Sequence, residues 1–270
     1  MKIVQINSTC GYGSIGKICQ AISELLLAKR VKREFPHITV QGLVHLVPKK
    51  LDMSFSASKF KEWTDFVDYM VTLGSSLTTY FKDKGIAENR LITTFHYVDN
   101  DYYKKEFIKT DAEVRVIAMG NQMRNIQLLK SIVAELPQVK FVICQGIGDM
   151  RKDFEGFTNV KLIPFVSEGE LKSYMDSSDI SLNVMHDTIG SNVIVTSMAM
   201  GLAMICSDVG SIHDYCSEDN CIFCQNENTE SFINAITQLV NDSEKLCMMQ
   251  SNSLKMASKL SINNFAISFH

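Results

Sequence analysis

Several classes are closed to this chain by what it lacks. Among its 270 residues no apolar run reaches the roughly 18–20 needed to cross a bilayer. The net charge is only −3, so the basic footprint of a nucleic-acid binder is missing and no nucleic-acid partner is expected. There is no low-complexity stretch and no convincing repeat. No secretory leader is expected either, since Met1-Lys-Ile-Val-Gln-Ile reads as a buried first strand that runs into a glycine loop. These gaps lead to the expectation of a soluble, cytoplasmic globular protein without disulfides. At 46% apolar and 21% charged, the composition supplies an ample core for two modest α/β domains or one large one.

Eight cysteines are present, and a metal-site spacing is what they lack. Cys144, Cys206 and Cys247 sit in apolar strand or helix patterns, where a thiol packs as a small hydrophobe. His213, Cys216, Cys221 and Cys224 lie closer together and invite a zinc reading. Their spacing does not match the usual zinc motifs. In the structural reading Tyr215-Cys216 ends a helical turn, and Cys221–Cys224 is a short strand whose two thiols face opposite sides. No metal and no cofactor is expected.

What is present is alternation. The patterning predicts a strand at Lys2–Asn7, a glycine loop Gly11–Gly16, and a helix from about Ile15 to Lys29 with Ile18, Ile22, Leu25 and Leu26 inward. An extended run His37–Val47, a strand Phe66–Leu73, a helix Ser75–Lys84 and a strand Leu91–Phe95 follow. Residues 49–66 show no strong period. The charged, aperiodic Lys104–Ala112 marks the linker, giving domains 1–105 and 106–270. Beyond it come strand 114–119, helix 125–135, strands 139–145 and 160–163, helix 168–176, strand 179–184, helix 191–200, strand 202–207, and helices 229–241 and 243–260. Strand–helix alternation of this kind implies a parallel doubly wound sheet, with ligands at the carboxyl ends of its strands.

The most informative stretch is Gly190-Ser-Asn-Val-Ile-Val-Thr-Ser-Met-Ala-Met-Gly201. Gly190, Ser191 and Asn192 enter a helix whose first N–H groups suit a phosphate. Ser197 and Ala199 let the helix lie close to the sheet, and Gly201 suits its C-terminal end. Arg124, in Gly120-Asn-Gln-Met-Arg-Asn, stands at another strand's carboxyl end, where a guanidinium clamps a diphosphate or is simply solvated. Gly146 and Gly148 end the next strand and allow a flat ring near the backbone, or an ordinary turn. Phe165 and Val166 follow a further strand, and Ser167 with Glu170 forms a capping box.

His186-Asp187 precedes the glycine loop. Asp187 suits sugar hydroxyls and His186 a phosphate oxygen, unless the pair is a plain surface loop. His96 is either catalytic or a hydrogen-bonded interdomain histidine. The string Gly11-Tyr-Gly13-Ser-Ile-Gly16 fits a dinucleotide fingerprint, but no acidic residue ends a strand about 20 positions on.

On these residues the chain resembles the family-4 retaining glycosyltransferases of the GT-B fold, especially bacterial enzymes of surface-polysaccharide assembly. The likeness covers Met1–Lys29, Asp68–Leu77, Leu91–Tyr103 and nearly all of Val114 onward, and is most specific over 179–214. It implies two Rossmann-like domains, the first abridged, and a hexosyl-type transfer, with retention, from a nucleoside-diphosphate sugar to a glycan or lipid-linked acceptor hydroxyl. It further implies metal-independent work near the inner face of the membrane, with peripheral membrane contact. By position, Gly11 and Gly13 would face donor and acceptor, and Arg124 the diphosphate. Gly120 and Asn121 would line the phosphate site, where the family often has an arginine at Asn121. Gly146 to Gly148, Phe165 and Val166 would frame the base, and Ser191, Asn192 and Val193 would offer amides. Thr188 and Thr196 stand where the family carries two glutamates, which leaves Asp187, His186 and Arg124 as the candidates for the chemistry. A non-catalytic nucleotide-sugar-binding relative is the alternative, and a dehydrogenase built on Gly11–Gly16 is a third reading.

Overall fold

The structure, a computed structural model, describes residues 3–7, 27–106 and 113–267. The Gly11–Gly16 loop, with Gly11 and Gly13, lies outside the described residues, as do 107–112 of the expected linker. The chain forms two compact units, residues 1–95 and 96–270.

In the first unit the described elements are β1 (Ile3–Asn7), α1 (residues 27–34), β2 (Thr39–Val44), α2 (Pro48–Ser54), α3 (Ala57–Asp65), β3 (Tyr69–Thr72), α4 (Ser75–Asp83) and β4 (Leu91–Thr93). The strands make a parallel sheet in the order β1-β2-β3-β4. The aperiodic 49–66 stretch is helical after all. Pro48 opens α2 with its fixed φ, and the Ser56 hydroxyl accepts from the Lys59 amide to start α3. Two helices of 7 and 9 residues are too short for a clear apolar period to show in the sequence. Their aromatic residues pack together, with Phe60 stacked on Phe81 of α4 at 5.7 Å.

The second unit carries β5 (Arg115–Ala118), α5 (Ile126–Glu135), β6 (Lys140–Cys144), β7 (Val160–Ile163), α6 (Glu168–Asp176), β8 (Ile180–Asn183), α7 (Asn192–Ala199), β9 (Ala203–Ser207), α8 (Ile212–Tyr215), β10 (Cys221–Cys224), α9 (Thr229–Asn241), α10 (Ser243–Lys259) and α11 (Ile262–Ile267). All six strands are parallel, in the order β10-β9-β8-β5-β6-β7. The chain therefore starts in the middle of the sheet, winds out to β7, then returns to β8 and winds the other way. That reversal between β5 and β8 is the switch point where open α/β sheets bind ligands.

β8 and β9 are buried at every residue, as strands covered on both faces must be. α5 and α9 pack together on one face, while α10 packs on α7 and β9. The Ser197 hydroxyl meets that of Ser181 on β8 at 2.9 Å, so small residues do bring α7 close to the sheet. Side chains cap the helices: Asn125 for α5, the expected Ser167–Glu170 box for α6, Ser191 for α7, Asn228 for α9 and Asp242 for α10.

Residues 96–105, assigned by sequence to the first half, group with the second unit. There the Val98 amide donates to the Leu260 carbonyl at 2.9 Å, and Tyr97 packs on Phe265 with ring centroids 4.9 Å apart. Among the described residues no helix is long and apolar enough to cross a membrane.

Candidate functional site

Two loops leave the sheet at the switch point and are zipped together. The amide of Asn125 donates to the Val184 carbonyl (3.0 Å), that of His186 to the Met123 carbonyl (2.8 Å), and Arg124 bridges to Met185 in antiparallel fashion. Gly120, at φ +81°, begins the first loop; a side chain there would press on Val193 of α7 at 3.1 Å. The carboxyl end of β5 thus lies directly against the start of α7. Asn121 rests its exposed amide beside Gly146, in space that a Cβ on that glycine would fill.

The second loop is locked from several sides. Asp187 accepts from the Thr188 amide (2.8 Å), the Thr188 hydroxyl from the Gly190 amide (3.0 Å), and the Thr188 carbonyl from the Ser211 amide (2.8 Å). Gly190 takes φ +88°, a conformation that ordinary side chains resist, and its α-carbon abuts the ring of the buried Tyr215. The Ser191 hydroxyl accepts from the third helical amide, Ile194, at 3.3 Å. The amides of Asn192 and Val193, in the first turn of α7, have no intrahelical acceptor and point out of the helix start. The helix dipole adds partial positive charge there.

Arg124 supplies the cation. Its Nη1 donates to the Cys144 carbonyl (3.1 Å), which holds the side chain over the end of β6, while its buried Nη2 has no partner among the described residues. Burial lowers its pKa to about 10. A guanidinium that is held, desolvated and short of one acceptor is suited to an anion.

The remaining expected residues divide. Phe165 is 70% exposed at the end of β7, whereas Val166 packs partly into the core beneath. The hydroxyls of Thr188 and Thr196 are spent within the chain, the latter on the Asn192 carbonyl at 2.7 Å. Asp187 is half-buried, and burial raises its pKa. His186 is exposed, with Nδ1 4.0 Å from Glu227 of the turn before α9. The structure therefore brings together Gly120, Asn121, Arg124, Gly146, Asp187, Gly190, Ser191, Asn192 and Val193, and leaves Phe165 at the outer strand.

Tyr215 escaped the sequence reading of this site, and His96, read there as catalytic or as a hydrogen-bonded interdomain histidine, takes a supporting place within the second unit. Tyr215 forms the back of the Gly190 turn, and its hydroxyl accepts from the His96 amide at 2.9 Å. His96 itself hydrogen-bonds the Asn192 side chain, and burial lowers its pKa to about 4. The histidine is thus neutral and supports the helix start from within the second unit. No local sequence signal announces either contact, because each joins segments far apart in the chain.

The family model described as "Glycosyl transferases group 1" matches residues 113–242, from just before β5 to the end of α9. No curated protein sequence matches the chain. Solved structures share its fold. Sucrose-phosphate synthase from Thermosynechococcus elongatus superposes with TM-score 0.80 at 12% identity, covering 99% of this chain and 71% of that one. HepE of Anabaena in complex with UDP gives 0.77 at 13% identity, with 99% and 77% covered. TarM of S. aureus, in complex with fondaparinux, alpha-GlcNAc-glycerol and UDP, gives 0.70 at 13% identity, with 94% and 58% covered. The fold is that of the GT-B glycosyltransferases, two α/β units each built on a parallel sheet.

Proposed function

We propose that this chain is a group-1 glycosyltransferase that moves a sugar from a nucleoside-diphosphate donor to an acceptor hydroxyl. One observation carries the reading. At the switch point the open first turn of α7, seated against Gly120, and the Arg124 guanidinium with its unpaired Nη2 stand on the same carboxyl edge of one sheet.

In this reading Asn192 and Val193 donate their amides to the diphosphate, and Arg124 offers it a fixed charge. As the glycosidic bond breaks, negative charge grows on the departing diphosphate. Dipoles and charge already aimed at it stabilise that change without reorganising, so no metal is required. Gly146, whose bare α-carbon makes room for the Asn121 amide, rims the nucleoside site, and exposed Phe165 on the outer strand offers the base a flat face. Asp187 lies beside Thr188 at the mouth of the loop and is the carboxylate closest in sequence to the amides; its role is to hold donor-sugar hydroxyls. UDP is the first nucleotide to test, since HepE and TarM were both solved with it. Retention of configuration, a hexosyl donor, a glycan or lipid-linked acceptor, and a place in polysaccharide assembly at the membrane's inner face belong to the same proposal. They rest on the resemblance of residues 179–214.

A second reading has its own support. Thr188 and Thr196 spend their hydroxyls on the chain itself and bring no charge, which fits a protein that binds a nucleotide sugar without turning it over. A panel of nucleotide sugars, followed by release of the nucleoside diphosphate and by calorimetry, separates the two. Release supports the enzyme, and binding without release supports the second reading. A preference for NAD over every nucleotide sugar defeats both.

A further inference from the structure

Behind the phosphate loop the core holds three sulfurs in a triangle. Cys206 lies on β9, Cys216 follows α8, and Cys221 opens β10; their Sγ atoms all lie within 4.8 Å of one another. All three are buried, at 0%, 3% and 2% exposure. The Met198 thioether stands 3.9 Å from the Cys216 sulfur, and the buried Asn220 closes the wall, its Nδ2 3.2 Å from that thioether. The sequence pattern pointed elsewhere, to His213 and Cys224 with two of these residues. Cys206 joins the group instead because β9 pairs in parallel with β10.

The donor set selects its ligand. It contains sulfur alone, with no imidazole or carboxylate, so it suits a soft ion and not a hard one. A pyramidal ion held by three sulfurs at about 2.3 Å, with angles of roughly 95–100°, sets sulfur–sulfur edges of about 3.5 Å, so the present triangle needs to contract by about 1.3 Å at most. Charge then decides the valence, because a buried net charge is costly. Three thiolates leave two negative charges around a monovalent ion and one around a divalent ion, but none around a trivalent one. Zinc also wants a fourth strong ligand, and among the described residues no fourth cysteine, histidine or carboxylate joins the three.

We propose that Cys206, Cys216 and Cys221 form a buried three-thiolate site for a trivalent thiophilic ion, with arsenic(III) as its probe. Arsenous acid, As(OH)3, exchanges three As–O bonds for three As–S bonds. The three thiol protons leave with the three hydroxyls as water, and nothing is oxidised or reduced. The product, a trivalent ion with three thiolates, carries no net charge into the core. The site does not depend on glycosyl transfer. Entry requires local opening of the core, so loading is slow.

The test uses the full chain, reduced with a thiol-free phosphine and titrated with arsenite. Intact mass should rise by one arsenic less three hydrogens, and X-ray absorption should show three sulfur neighbours and no oxygen. The variant Cys10→Ser/Cys19→Ser/Cys247→Ser should bind as the unaltered chain does. Cys206→Ser, Cys216→Ser and Cys221→Ser should each weaken binding at least tenfold. If these single variants fail to fold, absorption by the unaltered chain and by the triple variant still decides. A mixed sulfur–oxygen shell, loss of binding in the triple variant, or one-for-one displacement of arsenic by zinc overturns the proposal.

Discussion

The α-carbon of Gly190 sits so close to the Tyr215 ring that a methyl group built on it would overlap Cε2 and Cζ. The turn that exposes the first amides of α7 is therefore fixed by a glycine in front and an aromatic wall behind. Gly190→Ala must both strain a positive φ and displace that ring. The two effects together cost about 3 kcal/mol of stability. Urea unfolding checks this, and a midpoint equal to that of the unaltered chain would mean that the turn is not built as described.

Arg124 is expected to trade stability against binding. Its desolvated guanidinium has an unpaired Nη2, so Arg124→Met should leave the melting temperature of the free protein unchanged or higher. The same substitution should weaken UDP binding at least tenfold, about 1.4 kcal/mol. A variant that melts lower yet binds UDP normally would show the residue to be structural only.

His96 sets a pH dependence. Its pKa falls from 6.5 to about 4 on folding, because burial disfavours the charged ring. The unfolded chain takes up a proton below pH 6.5 that the native one refuses, so this contribution is intact above that value. It is lost as the pH falls toward 4, and amounts to about 2 kcal/mol by pH 5. His96→Gln should remove that loss. The comparison is the difference in urea stability between pH 7.5 and pH 5 for the two proteins, which cancels the carboxylates they share. Equal differences would contradict a buried neutral ring.

Much of this site was legible in the sequence because its parts are local. Gly190-Ser-Asn announces a helix start, Ser167 and Glu170 a capping box, and Arg124 a strand end, and each is found there. The strand–helix alternation foretold the parallel sheets, although it missed α2 and α3, where short helices rich in aromatics show no period. The wall of Tyr215, the contact of His96 with Asn192 and the place of Cys206 beside Cys216 and Cys221 could not be read, since each depends on tertiary contacts between separate segments. Thr188 and Thr196 show the other limit. Their positions suggest ligand contacts, while their hydroxyls are consumed by Gly190 and by the Asn192 carbonyl.

The most direct test of the account is a UDP titration followed by backbone amide resonances of the full chain. The amides of Gly120, Asn192 and Val193 should move together and saturate at one equivalent, with the shifts at Asn192 and Val193 among the largest. UDP that binds while these resonances stay still, or that perturbs only other parts of the chain, would contradict the assignment of the diphosphate to the start of α7.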